Sequence, residues 1–186
     1  MTKKRLVIGV TGASGSVLAY RLLSQLNGHE VHLIMSENSR KVFSFETGKE
    51  VAELEQMATN SYDDSDLGAR VSSGSFLFDA FVIVPCSIST LSKIASGISD
   101  SLITRVASVA LKERRKFVVV PRETPLSSIT LENMLKLSVN GVSVLPFMPA
   151  FYTKPKSVED MVDFVIGRVL DHLNIENDLT SRWSGL

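Results

Sequence analysis

The stretch LVIGVTGASG, residues 6–15, decides the fold class of this chain. Its first half is a run of apolar, mainly β-branched residues without alternation, which is typical of a strand buried on both faces of a parallel sheet. Its second half consists of small residues and opens an amphipathic segment, predicted as a helix over 14–27. A buried strand that turns directly into a helix is the first unit of an α/β domain.

The same alternation continues along the chain. Four more apolar runs predict strands, at 31–35, 81–84, 117–120 and 142–145. Further helical patterns lie at 102–115, 131–140 and 158–173. The last of these begins after Ser157, with Asp160 placed to complete a capping box. We therefore predict a doubly wound parallel sheet with helices on both faces.

One α/β domain is expected to span residues 1–186, since the chain is too short for a second sizeable core. Residues 174–186 are polar apart from a few apolar side chains, and this C-terminal tail is expected to dock on the site or on a neighbouring subunit. Segment 60–74, rich in Ser, Asp and Gly, is predicted as a surface loop.

Composition excludes several classes of partner. The 20 basic and 20 acidic side chains cancel, which leaves no electrostatic basis for binding nucleic acid or an anionic membrane. Zero net charge and 44% hydrophobic residues favour a homo-oligomer. Cys86 is the single cysteine, so a cytoplasmic location without disulfides is expected. No apolar run approaches the ~20 residues of a membrane span, and residues 6–10 are too short for an export signal.

Polar and small residues follow the predicted strands, where ligands bind in such folds. The loop at 11–15 lets backbone N–H groups approach a phosphate or a flavin ring, and the dipole of the following helix favours an anion there. Ser36 and Ser87 follow two other strands, although ordinary N-capping explains either one alone. Arg122 and Glu123 follow a fourth strand between two prolines, where they suit phosphate binding and proton transfer.

These motifs, taken in order from end to end, resemble the UbiX-type flavin prenyltransferases. The matching segments are Gly12-Ala13-Ser14-Gly15, Glu46-Thr47, Pro85-Cys86-Ser87 with Thr90-Leu91-Ser92, 111–115, 120–125, 131–134 and 149–152. The resemblance implies a flavodoxin-like Rossmann domain assembled as a dodecamer, with active sites shared between subunits.

The resemblance also implies roles for individual residues. Those that contact FMN are Gly12, Ala13, Ser14, Ser36, Ser87, Ile88, Ser89, Thr90 and Arg122. Those that hold the phosphate of dimethylallyl monophosphate are Lys112, Arg122, Glu123, Tyr152 and Arg168, and Trp183 lines the prenyl pocket. Ser14 and Glu46 act near flavin N5, and Glu123 completes the catalytic set.

The activity implied is transfer of a dimethylallyl group to N5 and C6 of reduced FMN, and the product serves a UbiD-type decarboxylase. Read independently, the cations can clamp a leaving phosphate, and Tyr152 and Trp183 can face an allylic cation. Asp63-Asp64-Ser65-Asp66 lacks the spacing of a magnesium motif and is predicted as a solvated turn, so no metal is expected.

Other functions remain open from the sequence. Thr-Gly-Ala-Ser-Gly also begins short-chain dehydrogenases, but Pro155 interrupts the Tyr152-x-x-x-Lys156 pair that such an enzyme needs on a helix. FMN-dependent cysteine decarboxylases use a catalytic histidine after an early strand, and His29, His32 and His172 are misplaced for it. A non-catalytic flavin carrier would not need Glu46 and Glu123, and direct decarboxylation of aromatic acids lacks a group to stabilise the carbanion.

Overall fold

The computed structural model describes residues 2–183 and 185, and its centre is a six-stranded, all-parallel sheet in the order β3-β2-β1-β4-β5-β6. The strands are β1 Arg5–Val10, β2 Glu30–Met35, β3 Asn60–Asp63, β4 Ala80–Cys86, β5 Lys116–Pro121 and β6 Ser143–Val144. The predicted α/β fold with a doubly wound parallel sheet is confirmed. In that order, β1 lies between β2 and β4, so the strand order reverses beside the predicted ligand loop.

Seven helices of the described part of the chain cover the two faces of the sheet. They are α1 Ser16–Ser24, α2 Glu37–Thr47, α3 Val51–Gln56, α4 Ile88–Ala95, α5 Leu102–Lys112, α6 Ser128–Val139 and α7 Val158–His172, with a 3₁₀ turn at Arg70–Ser72. One apolar core packs α1, α7, Phe43 and Leu54 against the sheet. The other packs α4, α5 and α6 against the opposite face. None of the helices in the described part of the chain is long and apolar enough to cross a membrane.

Helix α7 confirms the prediction for 158–173 within one residue. Its predicted capping box is present, since the Ser157 hydroxyl accepts from the Asp160 N–H at 3.1 Å and the Asp160 carboxylate accepts from the Ser157 N–H at 3.2 Å. Helix α6 begins three residues before the predicted start because Ser127 provides its N-cap. Helix α1 is shorter than predicted at both ends.

The prediction of a surface loop over 60–74 is wrong in part. Residues Asn60–Asp63 form β3, which pairs with β2 alone and lies at the edge of the sheet. Its residues alternate between half-buried and exposed, and its polar composition hides this pattern from an analysis of apolar runs. Tyr62 is its inward-facing aromatic, and its ring stacks on that of His32.

The solvated turn predicted at 63–66 is also wrong in part. Asp64 accepts the N–H of Ile103 at 2.7 Å through its carboxylate, and its carbonyl accepts the N–H of Leu102 at the same distance. Burial raises the pKa of Asp64 above its usual value. The segment therefore anchors the start of α5, and no metal-binding group of three or more His, Cys, Asp or Glu side chains occurs among the described residues.

Candidate active site

The carboxyl ends of β1, β4 and β5 meet at one edge of the sheet, which we call the carboxyl edge. The loop 11–15 leaves β1 there, Ser87 follows β4, and Arg122 follows β5. Thr11 links the first two, because its hydroxyl donates to the Pro85 carbonyl at 2.8 Å and accepts from the Ser87 N–H at 2.7 Å. The Arg122 Nε donates to the Ser14 carbonyl at 3.2 Å and so links the loop after β5 to the loop after β1.

The loop after β1 presents its own backbone toward solvent. Within residues 2–183 and 185, the N–H groups of Gly12, Ala13 and Ser14 donate to no acceptor. Gly12 is required where it stands, since a Cβ at this position would lie 2.8 Å from the Cβ of Asn38. Gly12 and Ser14 are exposed, whereas Ala13 is buried. Three adjacent free donors beside an exposed hydroxyl are a site for a ligand rich in hydrogen-bond acceptors.

The sequence predicts that the start of α1 binds the anionic group of a ligand. In the structure a carboxylate of the protein itself occupies this position. Glu46, in the last turn of α2, fills that position: its Oε2 accepts the Gly15 N–H at 2.9 Å and the Ser16 N–H at 2.8 Å. Gly15, with φ of 108°, has no side chain to cap the helix itself. The carboxylate is unfavourable at the end of α2 but favourable at the start of α1.

The protonation state of Glu46 follows from this contact. Burial raises the pKa of Glu46, but the nearby Ser14 hydroxyl and the hydrogen bonds from the backbone N–H groups of Ser16 and Gly15 outweigh it, so the pKa lies below its usual value. Glu46 is therefore an anion at neutral pH, and the exposed Ser14 hydroxyl lies beside it. The structure thus brings together the two residues predicted to act near flavin N5.

Ser36 and Ser87 serve as N-caps, the structural alternative that the sequence left open. The Ser36 hydroxyl accepts the Ser39 N–H at 3.2 Å, and the Ser87 hydroxyl accepts the Thr90 N–H at the same distance. Capping leaves Ile88 and Ser89 in the first turn of α4, where their N–H groups have no acceptor among the described residues. Both serines border the carboxyl edge, so a cap and a ligand contact are compatible there.

Glu123 is exposed and uses one carboxylate oxygen to accept the Thr124 N–H at 3.0 Å. It follows Arg122, which is half-buried. Both side chains therefore lie at the carboxyl edge, beside the loop that carries Ser14.

Three other predicted residues meet elsewhere, in a pocket of about 170 Å³ beside α7 that we call the C-terminal pocket. The Tyr152 ring lies edge-on to Trp183, with centroids 5.2 Å apart, and edge-on to Phe164. Arg168 completes the set and donates to the Asp171 carboxylate at 2.9 Å. Tyr152 lies in a turn before α7, so the Tyr-x-x-x-Lys pair of a dehydrogenase is not on a helix.

Lys112 lies in neither place. It ends α5, directly before β5 begins, and so it lies at the opposite, amino edge of the sheet. Its Nζ is 3.0 Å from the Glu113 carboxylate, and it lines a cavity of about 640 Å³ with Phe117 and Val142. One chain therefore separates the predicted phosphate ligands into three groups.

Two residues have roles that the motifs of the sequence do not predict. The sequence places Thr11 only in a loop of small residues, although a single hydroxyl directly after an apolar strand is a signal for a contact between strand ends. Asp171 accepts from Arg168 and from Arg182, the latter at 2.8 Å, and so joins α7 to the tail. Its spacing of three residues from Arg168 could have indicated the helical pair, but nothing local indicates Arg182.

Comparison with known proteins identifies the family to which the chain belongs. The model of the family described as Flavoprotein matches residues 1–170. The flavin prenyltransferase UbiX of Thermoplasma acidophilum is 56% identical over 179 residues, which cover 96% of this chain and 99% of that protein. The chain belongs to the UbiX-type flavin prenyltransferase family.

Solved structures of UbiX-type proteins match over the whole fold. AnUbiX, crystallised in complex with FMN and dimethylallyl pyrophosphate, superposes with a TM-score of 0.97 at 41% identity, and the match covers 100% of both chains. A dodecameric FMN-dependent UbiX-like decarboxylase from Escherichia coli O157:H7 superposes with a TM-score of 0.95 at 43% identity, covering 97% of this chain and 100% of that chain.

Proposed function

We propose that this chain transfers a dimethylallyl group from dimethylallyl monophosphate to N5 and C6 of reduced FMN, forming prenylated FMN. The observation that carries the proposal is the Ser14–Glu46 pair, an exposed hydroxyl beside a carboxylate whose charge is held by backbone N–H groups. Membership in the UbiX-type family supports the same activity.

The residues at the carboxyl edge fit FMN. The free N–H groups of Gly12, Ala13 and Ser14, with those of Ile88 and Ser89, are donors for the acceptor atoms of a flavin and its phosphate. Arg122 adds a cation beside them. When bound, reduced FMN supplies the two nucleophilic ring atoms, and the protein supplies orientation and proton transfer.

Glu46 is suited to act as a general base because it is ionised at neutral pH. The exposed Ser14 hydroxyl lies near this carboxylate, so it can pass a proton to Glu46. Two backbone N–H groups hold Glu46 Oε2 in place, so the base needs no reorganisation before it accepts a proton. We assign Glu123 a second proton-transfer role at the leaving phosphate.

The donor half of the site is proposed to form between subunits. Lys112, Arg122 and Arg168 can neutralise a leaving phosphate, and Tyr152 and Trp183 can face an allylic cation. In one chain these side chains lie at the amino edge, the carboxyl edge and the C-terminal pocket. Neighbouring chains must therefore bring them together, and the dodecameric assembly of the related Escherichia coli protein supports a dodecamer here.

A UbiD-type decarboxylase as recipient of the product, and a cytoplasmic location, remain predictions. The cysteine-decarboxylase alternative has no support from the histidines: His29 precedes β2, His172 ends α7, and His32 lies within β2 against Tyr62. None of them lies at the carboxyl edge beside Ser14.

The proposal is tested by the mass of the flavin that the protein releases. Purified protein is incubated anaerobically with reduced FMN and either dimethylallyl monophosphate or the pyrophosphate, without added metal. We expect the flavin to gain one five-carbon unit with the monophosphate, and the second arm measures how strictly the donor is selected. Unmodified flavin in both arms, with FMN shown to be bound, would contradict the proposed activity.

A further inference from the structure

Thr11 occupies the junction between the two loops that border the flavin side of the sheet. Its side chain is almost completely buried, with 2% of its surface exposed. Its hydroxyl donates to the Pro85 carbonyl at 2.8 Å and accepts from the Ser87 N–H at 2.7 Å. The Thr11 hydroxyl therefore acts both as a donor and as an acceptor between the ends of β1 and β4.

Backbone pairing between these strands stops before the loops begin. The last paired residues of β1 and β4 are Gly9 and Ile83, and the pairing of β4 with β5 is irregular between Ile83 and Cys86. Beyond this point the Thr11 N–H still donates to the Pro85 carbonyl, but at 3.3 Å. The Thr11 hydroxyl thus strengthens a connection that the backbone makes there through one long hydrogen bond.

The two loops joined by Thr11 carry the free N–H groups of the site. Gly12, Ala13 and Ser14 follow Thr11 directly, and Ile88 and Ser89 follow Ser87. A ligand that bridges both sets of donors needs them at a fixed separation, because small displacements of a bound group weaken every contact at once. The Ser87 N–H has no other acceptor among the described residues.

We propose that Thr11 is a positioning residue for FMN, which sets the separation of the two loops without itself being required as a flavin ligand. The inference rests on the proposed function only in that FMN is the ligand of this edge. Replacing the hydroxyl by a methyl group removes the acceptor of the Ser87 N–H, a group of a half-buried residue, so the loop after β4 must shift to satisfy it.

The test compares Thr11→Val with Thr11→Ser and with Thr104→Val. Thr104 is a matched control: it is also 2% exposed, and its hydroxyl donates to the Ser101 carbonyl and accepts from the Ser101 N–H, both at 3.0 Å, in the cap of α5. The dissociation constant of FMN is measured by quenching of flavin fluorescence, and folding is followed by circular dichroism and thermal unfolding.

We expect Thr11→Val to weaken FMN binding by about 10- to 100-fold, the range for a partly buried donor that loses its acceptor. Thr11→Ser should restore affinity close to that of the wild type, and Thr104→Val should lose thermal stability while keeping its FMN affinity. If Thr11→Val does not fold, Thr11→Cys replaces it, because a thiol is a poorer hydrogen-bonding group of similar size, and its affinity should lie well below that of Thr11→Ser.

Wild-type affinity in Thr11→Val, equal weakening in Thr104→Val, or failure of Thr11→Ser to restore binding would each overturn the inference. For the cysteine variant, affinity equal to that of Thr11→Ser has the same consequence. A wild-type protein that binds FMN but never prenylates it would contradict the proposed activity and leave the role of Thr11 intact.

Discussion

The carboxyl edge and the C-terminal pocket are built from different structural elements. At the carboxyl edge, neighbouring strands of one sheet deliver Ser14, Ser87 and Arg122, and hydrogen bonds through Thr11 and Arg122 tie these loops together. In the C-terminal pocket, a loop, a helix face and the tail deliver exposed aromatic and charged side chains. The first region is organised within one chain, whereas the second presents its groups outward.

The carboxylates of the two regions differ in the same way. Glu46 is held by backbone N–H groups at the start of α1, and it forms no ion pair with a cationic side chain of the described residues. Asp171 is held by the guanidinium groups of Arg168 and Arg182. Backbone donors fix a base rigidly, whereas an exposed pair of arginines can exchange its partner for a phosphate. This difference supports the proposal that the flavin half of the site is preformed within one chain and that the donor half is completed on assembly.

The largest effect is expected at the carboxyl edge, from Glu46→Gln. The amide oxygen can still accept the Gly15 and Ser16 N–H groups, so the loop and FMN binding should be retained. The turnover number should fall by roughly 10²- to 10⁴-fold, the contribution of a positioned general base. Single-turnover measurements of prenyl transfer, alongside FMN titration, separate the two quantities.

Glu37→Gln is the matched control, since Glu37 lies on the same helix but is exposed, and among the described residues it forms an ion pair with Lys41 alone. It should behave as the wild type in both measurements. Turnover by Glu46→Gln within a factor of a few of the wild type would mean that the carboxylate serves only to cap α1.

A smaller, selective effect is expected in the C-terminal pocket, from Arg168→Ala. Loss of one charge-assisted contact to the donor phosphate should raise the KM for dimethylallyl monophosphate roughly 10- to 100-fold and leave FMN affinity unchanged. Arg182→Ala removes the other cationic partner of Asp171 and should leave this KM near its normal value. Equal effects of the two substitutions would show that Arg168 acts only by holding Asp171.

The same substitution tests whether the donor half is shared between chains. Arg168→Ala and Lys112→Ala, each impaired alone, are co-expressed with different tags and purified as mixed assemblies. Some sites then combine an intact Lys112 from one chain with an intact Arg168 from another, and activity should rise above that of either variant. Mixed assemblies no more active than the separate variants would place both residues in sites made by one chain.

The smallest effect is a change in the tail with acid. The Arg182 guanidinium hydrogen-bonded to Asp171 lowers the pKa of that carboxyl, and Asn177 and Arg168 lower it further. A lowered folded-state pKa means that this stabilisation is complete above the ordinary aspartate value of about 3.9 and is lost as the pH falls through the folded value. Trp183 is the only tryptophan, so its emission should shift in that range while the far-ultraviolet circular dichroism is retained.

Asp171→Asn is the control for this transition. Its Trp183 emission at neutral pH should already resemble that of the acid form, and it should not titrate in the same range. An identical acid transition in Asp171→Asn would assign the change to another carboxyl group.

Sequence alone determined the order of five strands and of four helices among them, because the period of apolar residues is a local property that survives in any tertiary context. Helix α7 and its capping box illustrate this, since every signal lies within residues 157–173. The edge strand β3 has no such local pattern, because three of its four residues are polar. These residues form a strand only because β2 offers free backbone groups beside them.

The same distinction between local pattern and long-range contact applies to the candidate site. Its residues could be named from motifs in the sequence, and the structure brings Ser14, Glu46, Ser87 and Arg122 to one edge. Only the tertiary structure decided that Glu46 caps α1 from a different helix, that Thr11 joins two loops 74 residues or more apart in sequence, and that Lys112 lies at the opposite edge. Each of these depends on which polar groups meet across the fold, and the partner of a polar group is set by long-range packing that no local pattern encodes.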